Sequence, residues 1–258
     1  QRIMSFLSAD KLKVCYERND GENLTVLDDF NWTVEEGSIN SLVGPSGCGK
    51  STILNVITGI HPVNSGKLTV NHKATDSLRR VGIVFQTPAL MPWLNVEENS
   101  LLPYRITNTP ITLAVRDRLE DLLQKTGLID FRYNYPDELS GGMQMRLSVV
   151  RTFLTEPELI LLDEPFSALD EVTREQMCIE LESIWRELKS TVIFVTHNLT
   201  EAILLADKVS VLSPRPAGII EEFDISLPRP RNTQLCASSA FMQLLGDIRE
   251  TVKTSHRC

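Results

Sequence analysis

Gly44-Pro45-Ser46-Gly47-Cys48-Gly49-Lys50-Ser51 fits the pattern G-x-x-x-x-G-K-[ST]. Glycines let a backbone turn tightly enough to aim successive N–H groups at phosphate oxygens. The apolar-leaning run Ile39–Val43 precedes the loop, and helix signals follow from Lys50 to about Thr58. A loop in that position also gains the positive end of the helix that follows it. Lys50 can then reach the β- and γ-phosphates of a nucleotide, and the Ser51 hydroxyl can ligate Mg²⁺. The bland alternative is a glycine turn with a surface lysine. The strand before the loop and the helix after it argue against that reading.

Outward from this loop, short apolar runs alternate with helical patterns. Lys11–Tyr16 and Leu24–Leu27 read as strands, as do Val81–Phe85, Leu159–Leu162, Thr191–Thr196 and Lys208–Leu212. Thr173-x-x-Gln176 reads as a capping box ahead of Met177, Leu181, Ile184, Trp185 and Leu188 at helical spacing. Residues 87–158 differ, with turn-prone Pro88, Pro92, Pro103 and Pro110 and then helical stretches. Pro228-Arg229-Pro230-Arg231 is a stiff break before a final helix, about Leu235–Thr254. The expected fold is α/β: a P-loop core with a mostly parallel sheet, an N-terminal antiparallel β part and a helical insertion. One domain is expected over 1–258. Residues 1–86 and 159–228 would form the nucleotide-binding core, 87–158 a helical subdomain and 229–258 a helical tail.

Two further stretches carry chemistry. Leu159-Ile160-Leu161-Leu162-Asp163-Glu164 is an apolar strand presenting acids at its C-terminal end, where ligands of open α/β sheets bind. Asp163 can hold Mg²⁺, and Glu164 can polarise a water attacking the γ-phosphate. Leu139-Ser140-Gly141-Gly142-Met143 opens a second helix, with Met143, Leu147, Val150 and Leu154 on one face. Ser140 with Gly141 and Gly142 makes a second anion cradle. Two cradles but a single P-loop lysine suggest a site shared between two molecules.

Composition narrows the class further. The 258 residues are 42% hydrophobic and 23% charged, a globular balance that excludes disordered and collagen-like chains. Lys and Arg total 26 against 34 Asp and Glu, a net charge of −8, which disfavours a broad nucleic-acid surface. Cys15, Cys48, Cys178, Cys236 and Cys258 are widely spaced and contain no CxxC, so neither a zinc site nor a disulfide framework is suggested. That usage fits a reducing cytosol. No apolar run approaches the roughly 18 residues of a membrane span.

The motif set resembles the ATP-binding cassette (ABC) ATPases, the motor subunits of ABC transporters, over nearly the whole chain and in order. Tyr16 matches the aromatic that stacks on adenine. Gly44–Ser51, continued by Thr52, matches the P-loop, and Gln86 the lone glutamine that senses Mg²⁺ and the γ-phosphate. Leu139–Met143 looks like the family signature. Asp163 and Glu164 match the Mg²⁺ ligand and the catalytic glutamate. Ser167-Ala168-Leu169-Asp170 matches the loop that crosses the dimer interface, and His197 the switch histidine at the γ-phosphate. Two departures stand out: Met143 replaces the commoner glutamine, and Met145 stands where another glutamine is usual.

The resemblance implies a Mg·ATP-hydrolysing homodimer, with each nucleotide between one P-loop and the other copy's Ser140–Gly142. Lys50, Glu164 and His197 would be catalytic, and Ser51, Gln86 and Asp163 would serve the metal. Met91-Pro92-Trp93-Leu94-Asn95-Val96, the GGM signature and Ile225–Arg231 resemble the nitrate, sulfonate and taurine importer ATPases. The expected place is the cytoplasmic face of the cell membrane, bound to permease subunits through residues 87–105 and served by an extracytoplasmic solute-binding protein. A thiamine-precursor importer, a soluble ABC ATPase of DNA repair or iron–sulfur assembly, and a non-hydrolysing nucleotide binder are the alternatives. Two finer expectations follow. Cys48 should lean toward thiolate, lying beside Lys50 and a helix N-terminus. Trp93, Leu90 and Met91 either face a partner or pack the insertion's own core.

Overall fold

β3 (Ile39–Val43) is buried at all of its positions. Only a strand covered on both faces reads that way, and parallel sheets supply such cover. β8 (Thr191–Val195) and β9 (Lys208–Leu212) flank it, both parallel. β10 (Ile219–Asp224) adds antiparallel to β9. Leu42 is level with Val195 and Ser210, so all three central strands end at one sheet edge. The computed structural model describes residues 5–17, 22–71, 73–74, 81–167 and 169–255. The first four residues, Ala168 and Cys258 fall outside them. Two compact units divide the chain: residues 1–81 with 191–258, and residues 82–190.

The first unit also holds an antiparallel sheet in the order β2-β1-β4-β5. It comprises β1 (Ser5–Glu17), β2 (Asn23–Glu35), β4 (Ser65–Val70) and β5 (Lys73–Ala74). β1 and β2 run well beyond the short strands that alternation predicts. Register shifts interrupt the β1–β2 pairing around Lys11, and Lys11 and Asp29 take positive φ. Such bulges break the two-residue period on which a strand is recognised in sequence. β4 and β10 gave no sequence signal because most of their side chains are not buried.

Helices α1 (Lys50–Ile57), α6 (Leu199–Leu205) and α7 (Ser239–Ser255) complete this unit. α7 packs Phe241, Leu245 and Ile248 toward α6 and β9. The Pro-Arg-Pro-Arg break has a structural use. Arg231, buried, donates to the carbonyls of Ile203, Ala206 and Ile225. It thereby satisfies the acceptors at the α6 C-terminus that no helix bond reaches.

The second unit contains all but the first residue of β6 (Val81–Val84) beside β7 (Leu159–Asp163). Around them are α2 (Val96–Ile106), α3 (Leu113–Lys125), α4 (Gly141–Phe153) and α5 (Glu171–Leu188). Each of these helices opens on a side-chain cap: Asn95, Thr112, Ser140 and Asp170. One expectation is corrected here. α5 does not open on a Thr173–Gln176 box; Asp170 is its cap and accepts from both the N–H and the hydroxyl of Thr173. An aspartate three residues ahead captures the N–H that the threonine leaves unpaired. Among the described residues no helix is long and apolar enough to cross a membrane.

Candidate functional site

In the first unit the P-loop leaves the end of β3 and enters α1. Gly49 is its tightest point. It takes φ 129°, and a Cβ there would lie 2.8 Å from Val26 Cγ1, so only glycine fits. Pro45 is half-buried, while Ser46 and Ser51 are exposed. Lys50 is only 6% exposed, and its Nζ donates to the carbonyls of Gly44 and Pro45, both at 3.0 Å. The charge is therefore held inside the loop's curve, where a phosphate would be met.

Tyr16, on β1, hydrogen-bonds the Thr52 hydroxyl at 3.4 Å, which ties the aromatic to the first turn of α1. His61 lies against Tyr16 with ring centroids 4.2 Å apart. His197, exposed, sits between β8 and α6, on the same sheet edge as the P-loop. Thr196 just before it receives an N–H from Asn198 and donates to the buried Glu201 at 2.6 Å. The sequence reading passed over Glu201. A lone acid directly before the apolar stretch Ala202–Leu205 was the available signal, because carboxylates are seldom buried unless they serve a partner.

Cys48 departs from expectation. It is 2% exposed, and burial pushes its thiol above the ordinary range, with Lys50 and Arg215 pulling the other way. Desolvation of a thiolate outweighs the nearby positive charge here. Cys48 is thus a buried residue under the loop whose surroundings disfavour the thiolate.

The second unit positions Gln86, the acids and the second glycine cradle. Leu159–Leu162 are all fully buried, and burying a leucine contributes about 2 kcal/mol, so the strand is anchored firmly. Asp163 and Glu164 follow, half-buried, at its end. Glu164 takes φ 45°, a left-handed conformation that costs a non-glycine residue about 1–3 kcal/mol. Ser167 N–H returns to the Glu164 carbonyl at 3.2 Å, and Gln86 Nε2 donates to the Ser167 hydroxyl at 3.1 Å. Gln86 and the turn carrying Glu164 are therefore joined through one serine.

Ser140 Oγ accepts the Met143 N–H, leaving Ser140 and Gly141 exposed at the α4 start. A Cβ on Gly142 would sit 3.3 Å from Thr173 Cγ2, so α4 approaches α5 closely there. One of the two departures in the signature, Met145, has a packing explanation. Met145 is 2% exposed, so its position is core, and Gln144 donates to the carbonyls of Pro136 and Leu139. Met143 is half-buried. Asp170, exposed, caps α5, and its carboxyl is held below the usual range by the Thr173 hydrogen bonds.

The loop before α2 is built around Asn99, which is fully buried. Its side chain accepts from Met91 N–H and donates to the carbonyls of Met91, Leu94 and Asn95. Arg151 adds a bond to the Ala89 carbonyl. The loop so held turns Trp93 outward, 69% exposed, while Leu90 and Met91 are half-buried. Trp93 is therefore not core packing. Asn99→Ala should lower stability by about 2 kcal/mol, since it strands several buried loop groups. Thermal melting checks this, and an unchanged melting temperature would contradict it.

One chain thus carries a phosphate loop with its lysine, a strand ending in two acids, and a second capped glycine helix start. That combination defines a nucleotide-binding P-loop ATPase of the cassette type. The chain belongs to the ABC transporter family, whose model matches residues 27–167. It is 39% identical over 209 residues to the aliphatic sulfonates import ATP-binding protein SsuB of Bacillus licheniformis, covering 81% of this chain and 80% of that one. It is 37% identical over 254 residues to the taurine import ATP-binding protein TauB of Pelagibacter ubique, covering 97% and 90%. Among solved structures it resembles a dimeric ATP-binding cassette in a post-hydrolysis state bound to ADP and Pi. That likeness has a TM-score of 0.74 and 27% identity, over 86% of this chain and all of that one. It shares its fold with cbiO1 of Clostridium perfringens at a TM-score of 0.76 and 23% identity, over 98% of each chain.

Proposed function

We propose that this chain is the ATP-hydrolysing motor subunit of an importer for a small oxyanion, a sulfonate such as taurine being the favoured solute. The observation that carries the reading is the emergence of the Lys50 loop and the His197 turn from one sheet edge, in a chain similar almost end to end to sulfonate and taurine import ATP-binding proteins. Two copies bind two nucleotides head to tail, each polyphosphate meeting one copy's P-loop and the other's Ser140–Gly142.

Within that reading the chain's own groups divide the work. Lys50 and the P-loop N–H groups hold phosphate charge, Tyr16 stacks on the base, and Glu164 accepts a proton from the attacking water. His197 steadies the γ-phosphate, and Asp170 and Ser167 carry the state of the site to the dimer partner. Ser51, Gln86 and Asp163 offer a hydroxyl, an amide oxygen and a carboxylate, hard oxygen donors that suit Mg²⁺. Among the described residues no group of three or more His, Cys, Asp or Glu converges, which fits a cation shared with phosphate rather than caged by protein. When bound, Mg²⁺ neutralises charge on the β- and γ-phosphates.

The helices of 87–158 face the permease, with residues 87–105 as the docking surface, and the solute-binding protein acts on the permease from the far side. The chain then works as a peripheral subunit on the cytoplasmic face. Co-expression with the permease encoded beside it tests this. The chain should co-purify with membranes, and sulfonate-loaded binding protein should raise ATP turnover several-fold. A chain that hydrolyses ATP yet never associates with that permease would instead be a soluble ABC ATPase.

A further inference from the structure

The loop 213–218, Ser-Pro-Arg-Pro-Ala-Gly, joins β9 to β10 and lies against the P-loop. It is closed by Ser213 N–H to the Gly218 carbonyl and Gly218 N–H to the Ser213 hydroxyl, both 2.9 Å. Ala217 N–H donates to the Val26 carbonyl at 2.8 Å. The P-loop touches this framework at both ends. A Cβ on Gly44 would be 3.0 Å from Leu212 Cβ, and one on Gly49 would be 3.8 Å from Ala217 Cβ. Midway along, Arg215 Nη2 lies 3.5 Å from where a Cβ on Gly47 would stand. Gly47 takes φ 73°, so the guanidinium occupies the side of a glycine that carries no side chain.

Arg215 is exposed and, among the described residues, has no hydrogen bond or ion pair. Its charge is nonetheless felt at the Cys48 thiol within the loop. Two cations on one loop favour an anion between them. Arg215 places positive charge beside the phosphate cradle in a chain whose net charge is −8. Lys50 faces inward to the Gly44 and Pro45 carbonyls, whereas Arg215 is exposed and lies against Gly47 of the same loop. A guanidinium there can form charge-assisted bonds with phosphate oxygens.

We propose that Arg215 is a further nucleotide-binding residue, contacting the polyphosphate beside Gly47 of the P-loop. The proposal rests on reading residues 44–51 as the nucleotide loop, and it extends the cradle to a residue outside every motif found in the sequence. The Ser213–Gly218 hydrogen bonds and the Ala217–Val26 bond fix the backbone that carries the arginine, so only its side chain needs ordering when nucleotide arrives.

Titration of the purified chain with a fluorescent ATP analogue, and with ADP, tests it in Arg215→Ala, Arg215→Gln and Arg215→Lys. Loss of the charge should weaken binding of both nucleotides about fivefold in Arg215→Ala and Arg215→Gln, while Arg215→Lys keeps most of the affinity. The difference from wild type should shrink at about 0.5 M salt, where the screening length is only a few ångströms. Melting temperatures without nucleotide should match wild type. The idea is overturned if Arg215→Ala binds within about twofold of wild type. It is overturned equally if Arg215→Gln restores binding, or if Arg215→Ala melts much earlier without nucleotide, since Arg215 would then only pack the loop. Lys50→Ala runs alongside. Its loss of binding upholds the P-loop reading whatever Arg215 does; wild-type binding by Lys50→Ala would sink that reading and this proposal with it.

Discussion

Glu164→Gln is expected to cut ATP turnover by about 10²-fold or more while leaving nucleotide binding intact, roughly 2.7 kcal/mol of lost transition-state stabilisation. Gln has the same shape but cannot take a proton from water. The backbone should tolerate the change, because the strained φ of 45° is also held by the strand and turn that surround it. Leu159–Leu162 are buried on one side of the turn and Phe166 on the other, and the Ser167 N–H closes it. With hydrolysis blocked and binding preserved, dimers should accumulate in ATP. Steady-state turnover, nucleotide titration and size-exclusion chromatography with ATP read the three consequences. Turnover close to wild type would remove Glu164 from the role of general base and leave Asp163 as the acid to examine next.

Trp93→Ala should weaken permease binding by about 2 kcal/mol, near thirtyfold, as loss of a central aromatic anchor does. The stability of the isolated chain and its ATP turnover should hardly move, because at 69% exposure the indole contributes little to the core. The scaffold beneath it is rigid: Asn99 and Arg151 fix the loop, and the segment around Tyr133 is tied to the start of α2. That tie consists of Val96 N–H to the Asn134 carbonyl, Glu97 N–H to the Arg132 carbonyl, and an Arg132–Glu97 ion pair at 2.7 Å. Arg132 holds the Glu97 carboxyl below the usual carboxylate range. Tyr133 is also 71% exposed, so two large aromatics stand outward from adjoining segments. Large exposed apolar groups on a fixed frame mark interaction surfaces. If Trp93→Ala co-purifies with the permease at wild-type yield, the docking surface lies elsewhere on the chain.

The buried central strands were legible in sequence because parallel strands covered on both faces are written as short, mostly apolar runs. Ile39–Val43, Leu159–Leu162, Thr191–Thr196 and Lys208–Leu212 all appear in the structure within a residue or so. β1 and β2 were only partly legible, since bulges near Lys11 and Asp29 break their alternation. β10 left no pattern, being an exposed edge strand with Glu221 and Glu222 at its centre.

The candidate site divides the same way. The phosphate loop, the acid-ended strand and the second glycine cradle are local motifs, and the order of residues alone spells out a strand, a turn and a helix start. The sequence by itself therefore determined that this chain is a P-loop ATPase of cassette type. Tertiary structure decided the rest. It sealed Cys48 from solvent, so that desolvation overrules the lysine beside it in sequence. It put Met145 into the core and Trp93 outside it. It also set Arg215 against Gly47, far away along the chain, because β3 and β9 end side by side. Burial and the neighbours met across a sheet depend on how distant segments pack, and no local run of residues records that.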